Sequence, residues 1–243
     1  AYVGIFFGHM VSGKTKVDIL VTPVVTIGSG CLVGFLIGPP ISGFMSWLGS
    51  LINWGTEQQP FLMGILVSVF VGISLTLPIS SAAICAALGL TGLAGGAAVA
   101  GCCAQMVGFA VMSFRENKWG GLVSQGIGTS MLQMGNIVKN PRIWIAPILT
   151  SAITGPIATC LFKLQMNGTP VSSGMGTCGF VGQIGVYTGW MNDIAAGTKT
   201  AVTGWDWAGL LLISFILPAI LCPLINMFIR KLGWMKDGDM TLS

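Results

Sequence analysis

The sequence predicts an all-α membrane protein, a polytopic bundle of transmembrane helices with broken helices and re-entrant hairpins. Hydrophobic residues make up 53% of the 243 residues, and charged residues only 7%. A soluble domain normally carries about 25% charged residues, so most of this surface must face lipid. Glycine is also abundant, at 36 residues, which suits close packing and interruption of helices in a membrane.

Charge-free intervals give the order of the predicted elements. A helix that crosses a bilayer needs about 20 largely apolar residues. Residues 19–56 and 58–114 are each long enough for two or more crossings, and residues 207–229 form the plainest single span. The other charge-free intervals are residues 119–138, 143–162 and 164–192.

Prolines are expected to divide the two long intervals, because proline removes a helical hydrogen bond and clashes with the preceding turn. Pro39 and Pro40 should separate a long span from a shorter piece. Pro60 should open a helix over residues 61–77, since proline is favoured at the first helical position. Pro78 should end that helix.

Two intervals, residues 120–136 and 172–190, do not look like simple spans. They contain few large aliphatic side chains and many Gly, Gln, Thr and Ser residues. Lipid-facing helices cannot shield so many polar groups, and non-helical backbone survives at membrane depth only where protein buries it or water lines it. Both intervals are therefore predicted to be re-entrant or cavity-lining segments, and a solute is expected to bind between them.

The basic residues fall in short clusters between the apolar intervals, and cytoplasmic loops carry an excess of Lys and Arg. One crossing pattern places four clusters on the cytoplasmic side and leaves Lys163 and Lys199 on the other side. The four clusters are Lys14/Lys16, Arg115/Lys118, Lys139/Arg142 and Arg230/Lys231/Lys236.

Residues 8–15 match the phosphate-binding loop pattern GxxxxGK[ST]. That pattern binds nucleotide within a strand–loop–helix fold, whereas here a membrane span follows it, so we interpret it as a basic loop. His9 is the only histidine, the seven cysteines contain no CxxC pair, and the seven acidic residues are scattered. No metal site, cofactor or catalytic residue is predicted in this chain.

Polar side chains in apolar surroundings supply the candidate binding residues. Such groups are costly in a membrane, so they either pair with one another or line a pathway, and both interpretations stay open. A set rich in amides and poor in charge favours a neutral polyhydroxy solute over an ion. Trp144 or Trp190 could stack on a ring face, with interfacial anchoring as the alternative. The candidate solute-binding residues are Glu57, Gln58, Gln59, Gln105, Gln125, Gln133, Asn136, Thr177 and Gln183.

Five stretches within residues 16–190 together resemble one family: KVDILVTPVVTI, QPFLMGILVSVFVGISLTLPISSAAI, GLAGGAAVAGCCAQMVGFAV, GTSMLQMGNIVKNPRIWIAP and GMGTCGFVGQIGVYTG. They resemble the enzyme IIC-like membrane permeases of bacterial phosphotransferase-system sugar transport. The resemblance implies a homodimeric α-helical transporter in the bacterial plasma (inner) membrane, moving a sugar that a partner protein phosphorylates. Soluble IIA and IIB proteins would carry the phosphate. Members of the family are longer at the N-terminus, so residues are expected to precede Ala1.

The resemblance also implies an intramembrane His and Glu near the sugar, for which His9 and Glu57 are the available residues. We therefore expect residues 1–243 to form a single membrane-embedded permease domain for a sugar or sugar-like solute. A membrane sensor or scaffold that kept the fold without transport is one alternative, and a channel is another. The expected partners are the solute, the lipid bilayer, a second copy of the chain and the IIA and IIB proteins. Nucleic acid is not expected, because the basic residues form no continuous stripe.

Overall fold

The computed structural model describes residues 2–12 and 18–242 of the chain. Its regular elements in those residues are helices, and one isolated antiparallel bridge joins Gly92 and Met166. The prediction of an all-α membrane bundle is confirmed. Residues 13–17, which hold Lys14, Lys16 and the end of the phosphate-loop pattern, lie outside the described residues.

Contacts divide the chain into two compact units, Ala1–Leu48 and Gly49–Ser243. The single domain over residues 1–243 stays a prediction. The first unit holds α1 (Tyr2–Val11) and most of α2 (Asp18–Gln58). The remaining helices are α3 (Pro60–Thr76), α4 (Ser81–Leu88), α5 (Gly92–Met112), α6 (Phe114–Val123), α7 (Met134–Lys139), α8 (Ile145–Pro156), α9 (Pro170–Ser173), α10 (Val181–Ala195), α11 (Gly204–Leu211) and α12 (Leu217–Lys231).

The predicted break at Pro39 and Pro40 is wrong, because α2 continues through both residues and through Pro23. Proline has a φ close to the helical value. A helix can therefore continue through a proline, although it loses one backbone hydrogen bond and is locally distorted. Membrane helices tolerate this loss where local adjustments and neighbouring groups satisfy the freed carbonyls. The two other predicted boundaries hold, because α3 begins at Pro60 and ends at Thr76, two residues before Pro78.

Three helical stretches of the described residues are long and apolar enough to cross a membrane, namely Gly92–Met112, Pro141–Leu161 and Gly204–Lys231. The second and third include π turns, at Ile157–Leu161 and Leu212–Ile216. Such turns let a helix bend without leaving its backbone groups unpaired. The predicted span 207–229 therefore lies within a continuous helical segment, as does the predicted span 143–162 except for its last residue.

Helix α5 is the centre of the second unit, and every residue from 94 to 110 is buried. Helix α3 packs through small residues against both α5 and α8, and the Ser151 hydroxyl of α8 lies 3.4 Å from the Gly101 carbonyl of α5. A Cβ on Gly101 would fall on the backbone carbonyl of Ser68, and one on Gly155 would fall on the carbonyl of Gly64. Glycine at these crossings allows the backbones to approach closely, which is how membrane helices gain packing energy.

Residues 114–140 form a hairpin, named here hairpin 1, that enters from the Met112 end of α5. The chain breaks at Lys118, where φ is 52°, and then passes through a π turn at Ser124–Gly128 and a 3-10 turn at Ser130–Gln133. Its tip lies near Gly126, where a Cβ would stand 3.4 Å from that of Ala110. Helix α7 then returns the chain to the end at which it entered.

Residues 166–193 form hairpin 2, which enters from the Gly92 end of α5. Met166 pairs with Gly92 through two backbone hydrogen bonds of 3.0 and 3.1 Å. At the tip, Gly176 has a φ of +54°, and a Cβ there would press on Cys102. Helix α10 then returns, so that Gly189 packs beside the backbone of Asn167. Both polar intervals are thus re-entrant, as their composition predicted.

Candidate functional site

The tips of the two hairpins meet against the middle of α5. Thr177 is fully buried, and its hydroxyl donates a 2.6 Å hydrogen bond to the carbonyl of Gly126. The same hydroxyl lies 3.5 Å from the sulfur of Met106. Non-helical backbone from opposite ends of the bundle therefore converges at one buried point, which is where such backbone is tolerated inside a membrane protein.

Gln105 connects this region to the helical core. Its side-chain oxygen accepts hydrogen bonds from Trp144 Nε1 at 3.0 Å and from the Thr76 hydroxyl at 3.2 Å. Its amide nitrogen donates to the Ser151 hydroxyl at 3.4 Å. Thr76 in turn lies 2.9 Å from the hydroxyl of Ser130 in hairpin 1. Trp144 thus uses its indole N–H to hold an interior amide.

The amides of hairpin 1 bind one another. Gln133 Nε2 donates to Gln125 Oε1 and to the Met240 carbonyl, both at 3.0 Å. Its oxygen accepts from Asn136 Nδ2 at 2.9 Å. Gln125 Nε2 donates to the Ser113 hydroxyl at 2.9 Å. In this conformation these amides are hydrogen-bonded to one another and to neighbouring protein groups. Their role as solute ligands stays a prediction.

The C-terminal segment, residues 234–242, lies across the open side of hairpin 1. The Glu116 carboxylate accepts hydrogen bonds from the backbone N–H groups of Gly238 and Met240, at 3.2 and 2.8 Å. Asn117 donates to the Met240 carbonyl and accepts from the Leu242 N–H, both at 2.8 Å. This segment therefore covers the amide network at the Met112 end of α5.

The other predicted ligands lie apart from that network. Gln183 on α10 donates to Cys103 Sγ at 3.3 Å, and its buried side-chain oxygen has no hydrogen-bond partner among the described residues. Glu57, Gln58 and Gln59 are exposed at the junction of α2 and α3. Gln59 is the N-cap of α3 but makes no side-chain capping bond.

A polar cavity of about 400 Å³, named here the Trp190 cavity, opens at the Gly92 end of α5. Asn167 Nδ2 donates to both oxygens of Asp193, at 3.1 and 2.8 Å. Lys199 forms a 2.7 Å ion pair with Asp206 and lies 5.2 Å from the centre of the Trp190 ring. Carboxylates, an amide, an ammonium and an indole therefore face one space.

Sequence reasoning missed Asn167, Asp193 and Asp206, although two signals could have found them. Asn167 precedes the interval 172–190 and Asp193 follows it, so a re-entrant path brings the two together. The spacing Thr203–x–x–Asp206 is that of a capping box. The structure shows this box at the start of α11, and it orients the carboxylate that Lys199 binds.

Among the described residues, the three clusters Arg115/Lys118, Lys139/Arg142 and Arg230/Lys231/Lys236 lie at one end of α5, and Lys163 and Lys199 lie at the other. Arg230 pairs with Glu116 at 2.9 Å, and the Arg142 guanidinium lies 5.5 Å from the centre of the Trp234 ring, both at the Met112 end. Lys163 and Lys199 line the cavity at the opposite end. Which end faces the cytoplasm stays a prediction. Nowhere in residues 2–12 and 18–242 do three His, Cys, Asp or Glu side chains gather in a set that could hold a metal ion.

Opposed re-entrant hairpins inside a helical bundle are an architecture of membrane transporters, whose solute sites lie where broken segments meet. A family model described as phosphotransferase system, EIIC, matches residues 1–242. The chain belongs to the phosphotransferase-system EIIC family. It is therefore a permease of the phosphotransferase-system type, which works in a membrane and with IIA and IIB partners. The comparison with curated proteins and that with solved structures gave no match.

Proposed function

We propose that this EIIC permease moves a sugar or sugar-like polyhydroxy solute across the bacterial plasma membrane by alternating access, as a homodimer. The observation that carries the proposal is the Trp190 cavity at the base of hairpin 2, behind which Thr177 and Gly126 close the interior. An open polar chamber at one end and a sealed junction at mid-bundle are what a transporter needs in one of its two end states.

The chemistry of the cavity suits a neutral, hydroxyl-rich solute. Its two lysines and two aspartates balance in charge, so no net field favours an ion. Asp193 and Asn167 offer acceptors and donors side by side, while Trp190 offers an aromatic surface. The volume lies within the range of about 300–1,000 Å³ that is usual for small-molecule sites.

Passage through the bundle requires the hairpin tips to separate. Breaking the Thr177–Gly126 hydrogen bond would free one buried donor, and the unpartnered oxygen of Gln183 supplies an acceptor on the adjoining helix. We propose that these groups bind the solute hydroxyls in turn as the tips part. Gln105, Gln125, Gln133 and Asn136 would join them on exchanging their present partners, and Glu57, Gln58 and Gln59 would act near the start of α3.

Uptake by reconstituted protein tests the proposal. The purified full chain in liposomes, supplied with labelled sugars, should show saturable uptake that depends on soluble IIA and IIB proteins and a phosphate donor. Absence of uptake in every condition would favour a sensor or scaffold. Unsaturable ion flux would favour a channel.

The Asp193→Asn substitution is expected to reduce uptake at low solute concentration by about 10- to 100-fold. A hydrogen bond to a charged group contributes about 1.5–3 kcal/mol, and the substitution removes the charge while keeping the shape. Initial uptake rates, normalised to folded protein, measure the effect. Thr188→Val on the same helix is the matched control, because the Thr188 side chain is exposed and bonds only the carbonyl of Ile184. Equal rates for Asp193→Asn and the wild type would place the solute path elsewhere.

A further inference from the structure

A second cavity, of about 530 Å³, lies at the Met112 end of α5, and it is strongly basic. It lies between the start of α6, the end of α12 and the start of the C-terminal segment. Four basic side chains, one carboxylate and two methionines line it: Arg115, Arg230, Lys231, Lys236, Asp237, Met227 and Met235. Neither the proposed solute path nor the family match assigns this cavity a role.

The positive charge of this basic cavity is only partly compensated. Within residues 2–12 and 18–242, Arg230 is the cavity residue that has carboxylate partners, since it pairs with Glu116 and Asp237. For Arg115, Lys231 and Lys236, the part of the chain that the structure describes contains no ion pair. In addition, Arg230 Nε is buried and has no hydrogen-bond partner among the residues that the structure describes. Several cations held around one space repel each other, so an anion bound there would be stabilised by all of them.

The wall beside these cations is apolar and faces outward. Met227 is 57% exposed and Phe228 is 63% exposed, and both belong to the apolar helical stretch Gly204–Lys231. A headgroup phosphate seated among the basic side chains would leave its acyl chains along this helix face. A free phosphate ion would use the charges but none of the adjoining apolar surface.

We propose that this basic cavity binds the phosphate headgroup of an anionic phospholipid. Basic pockets beside membrane helices are suited to such headgroups, and each Lys or Arg near an anionic surface contributes about 1 kcal/mol. Met235, Lys236 and Asp237 belong to the C-terminal segment, so the lipid fastens the segment that covers the amide network of hairpin 1. Lipid binding in this cavity therefore links the membrane composition to closure of the bundle at the Met112 end of α5.

Native mass spectrometry and thermal unfolding of the full chain in detergent test this inference. Each measurement is made with dioleoylphosphatidylglycerol, with dioleoylphosphatidylcholine or with inorganic phosphate added. Phosphatidylglycerol should be retained at least ten-fold more strongly than phosphatidylcholine and should raise the Tm. The triple variant Arg115→Gln/Lys231→Gln/Lys236→Gln should lose this preference, because the affinity for phosphatidylglycerol should fall about five-fold for each charge removed. Lys139→Gln is the matched control, because Lys139 is exposed and lies outside the cavity.

Equal retention of the two lipids would overturn the inference, and so would an unchanged preference in the triple variant. A Tm increase produced as strongly by inorganic phosphate as by phosphatidylglycerol would also overturn it, since the site would then bind a free ion. Should the triple variant fail to fold, the single variants Lys231→Gln and Lys236→Gln give the answer, because both side chains are exposed.

Discussion

The Gly101→Ala substitution is expected to destabilise the second unit by about 3 kcal/mol or more and to leave little folded protein. The added methyl group would overlap the backbone carbonyl of Ser68, and the next nearest atoms are also backbone. No side-chain rotation can relieve this overlap, so α3 and α5 would have to move apart. Overpacking of this kind usually costs about 1–3 kcal/mol, and more where the backbone must shift.

Thermal unfolding and gel-filtration profiles in detergent measure the effect of Gly101→Ala. Gly135→Ala in α7 is the matched control, since its Cβ would meet nothing within 4 Å. Alanine is the better helix former, so this control should be neutral or slightly stabilising. A Tm for Gly101→Ala within about 2 °C of the control would show that the close crossing of α3 and α5 is not required.

The Gln133→Leu substitution is expected to destabilise the protein by about 3 kcal/mol and to release the C-terminal segment. Gln133 is fully buried and makes hydrogen bonds to Gln125, Asn136 and the Met240 carbonyl. Leucine would leave Gln125 Oε1 buried without a donor, which costs about 1–3 kcal/mol, and would remove two further hydrogen bonds worth about 1 kcal/mol each. The Met240 carbonyl would keep its bond from Asn117, and Asn136 would keep its bond to the Thr241 carbonyl. Partial rearrangement of the neighbouring side chains should keep the total loss of stability near the lower end of the summed range.

Thermal unfolding reports the stability of Gln133→Leu, and limited proteolysis reports the exposure of residues 234–242. Gln58→Leu is the matched control, because Gln58 is exposed and its replacement should change neither quantity. If Gln133→Leu kept the wild-type Tm and protease resistance but lost solute uptake, the amide would act as a ligand and not as a structural link.

Composition and proline positions were sufficient to predict much of the fold. Residues 120–136 and 172–190 are too polar for lipid-facing helices, and this property alone predicted the two re-entrant hairpins. The bounds of α3 follow from Pro60 and Pro78 because each proline acts at a helix end. The prediction at Pro39 and Pro40 was wrong, since the presence of proline does not reveal whether a helix will tolerate the lost hydrogen bonds.

The candidate site was harder to predict, because it depends on contacts between distant parts of the chain. The meeting of Thr177 with Gly126 spans 51 positions, and no local pattern specifies it. An interior glutamine looks the same in a sequence whether it binds a solute or another amide, as Gln125 and Gln133 do. Asp193 and Asn167 lie in stretches that resemble solvated loops, so their convergence was visible only in three dimensions.

Both hairpin tips rest on the same two turns of α5, between Cys102 and Ala110. The ion pairs seen in residues 18–242 do not involve the tips, and the polar contact between them is one hydroxyl–carbonyl bond. A neutral hydrogen bond contributes only about 1 kcal/mol net. The electrostatic cost of parting the tips is therefore small when water or a solute hydroxyl takes over the freed donor and acceptor, and rises to about 1–3 kcal/mol for each group that is left unpaired.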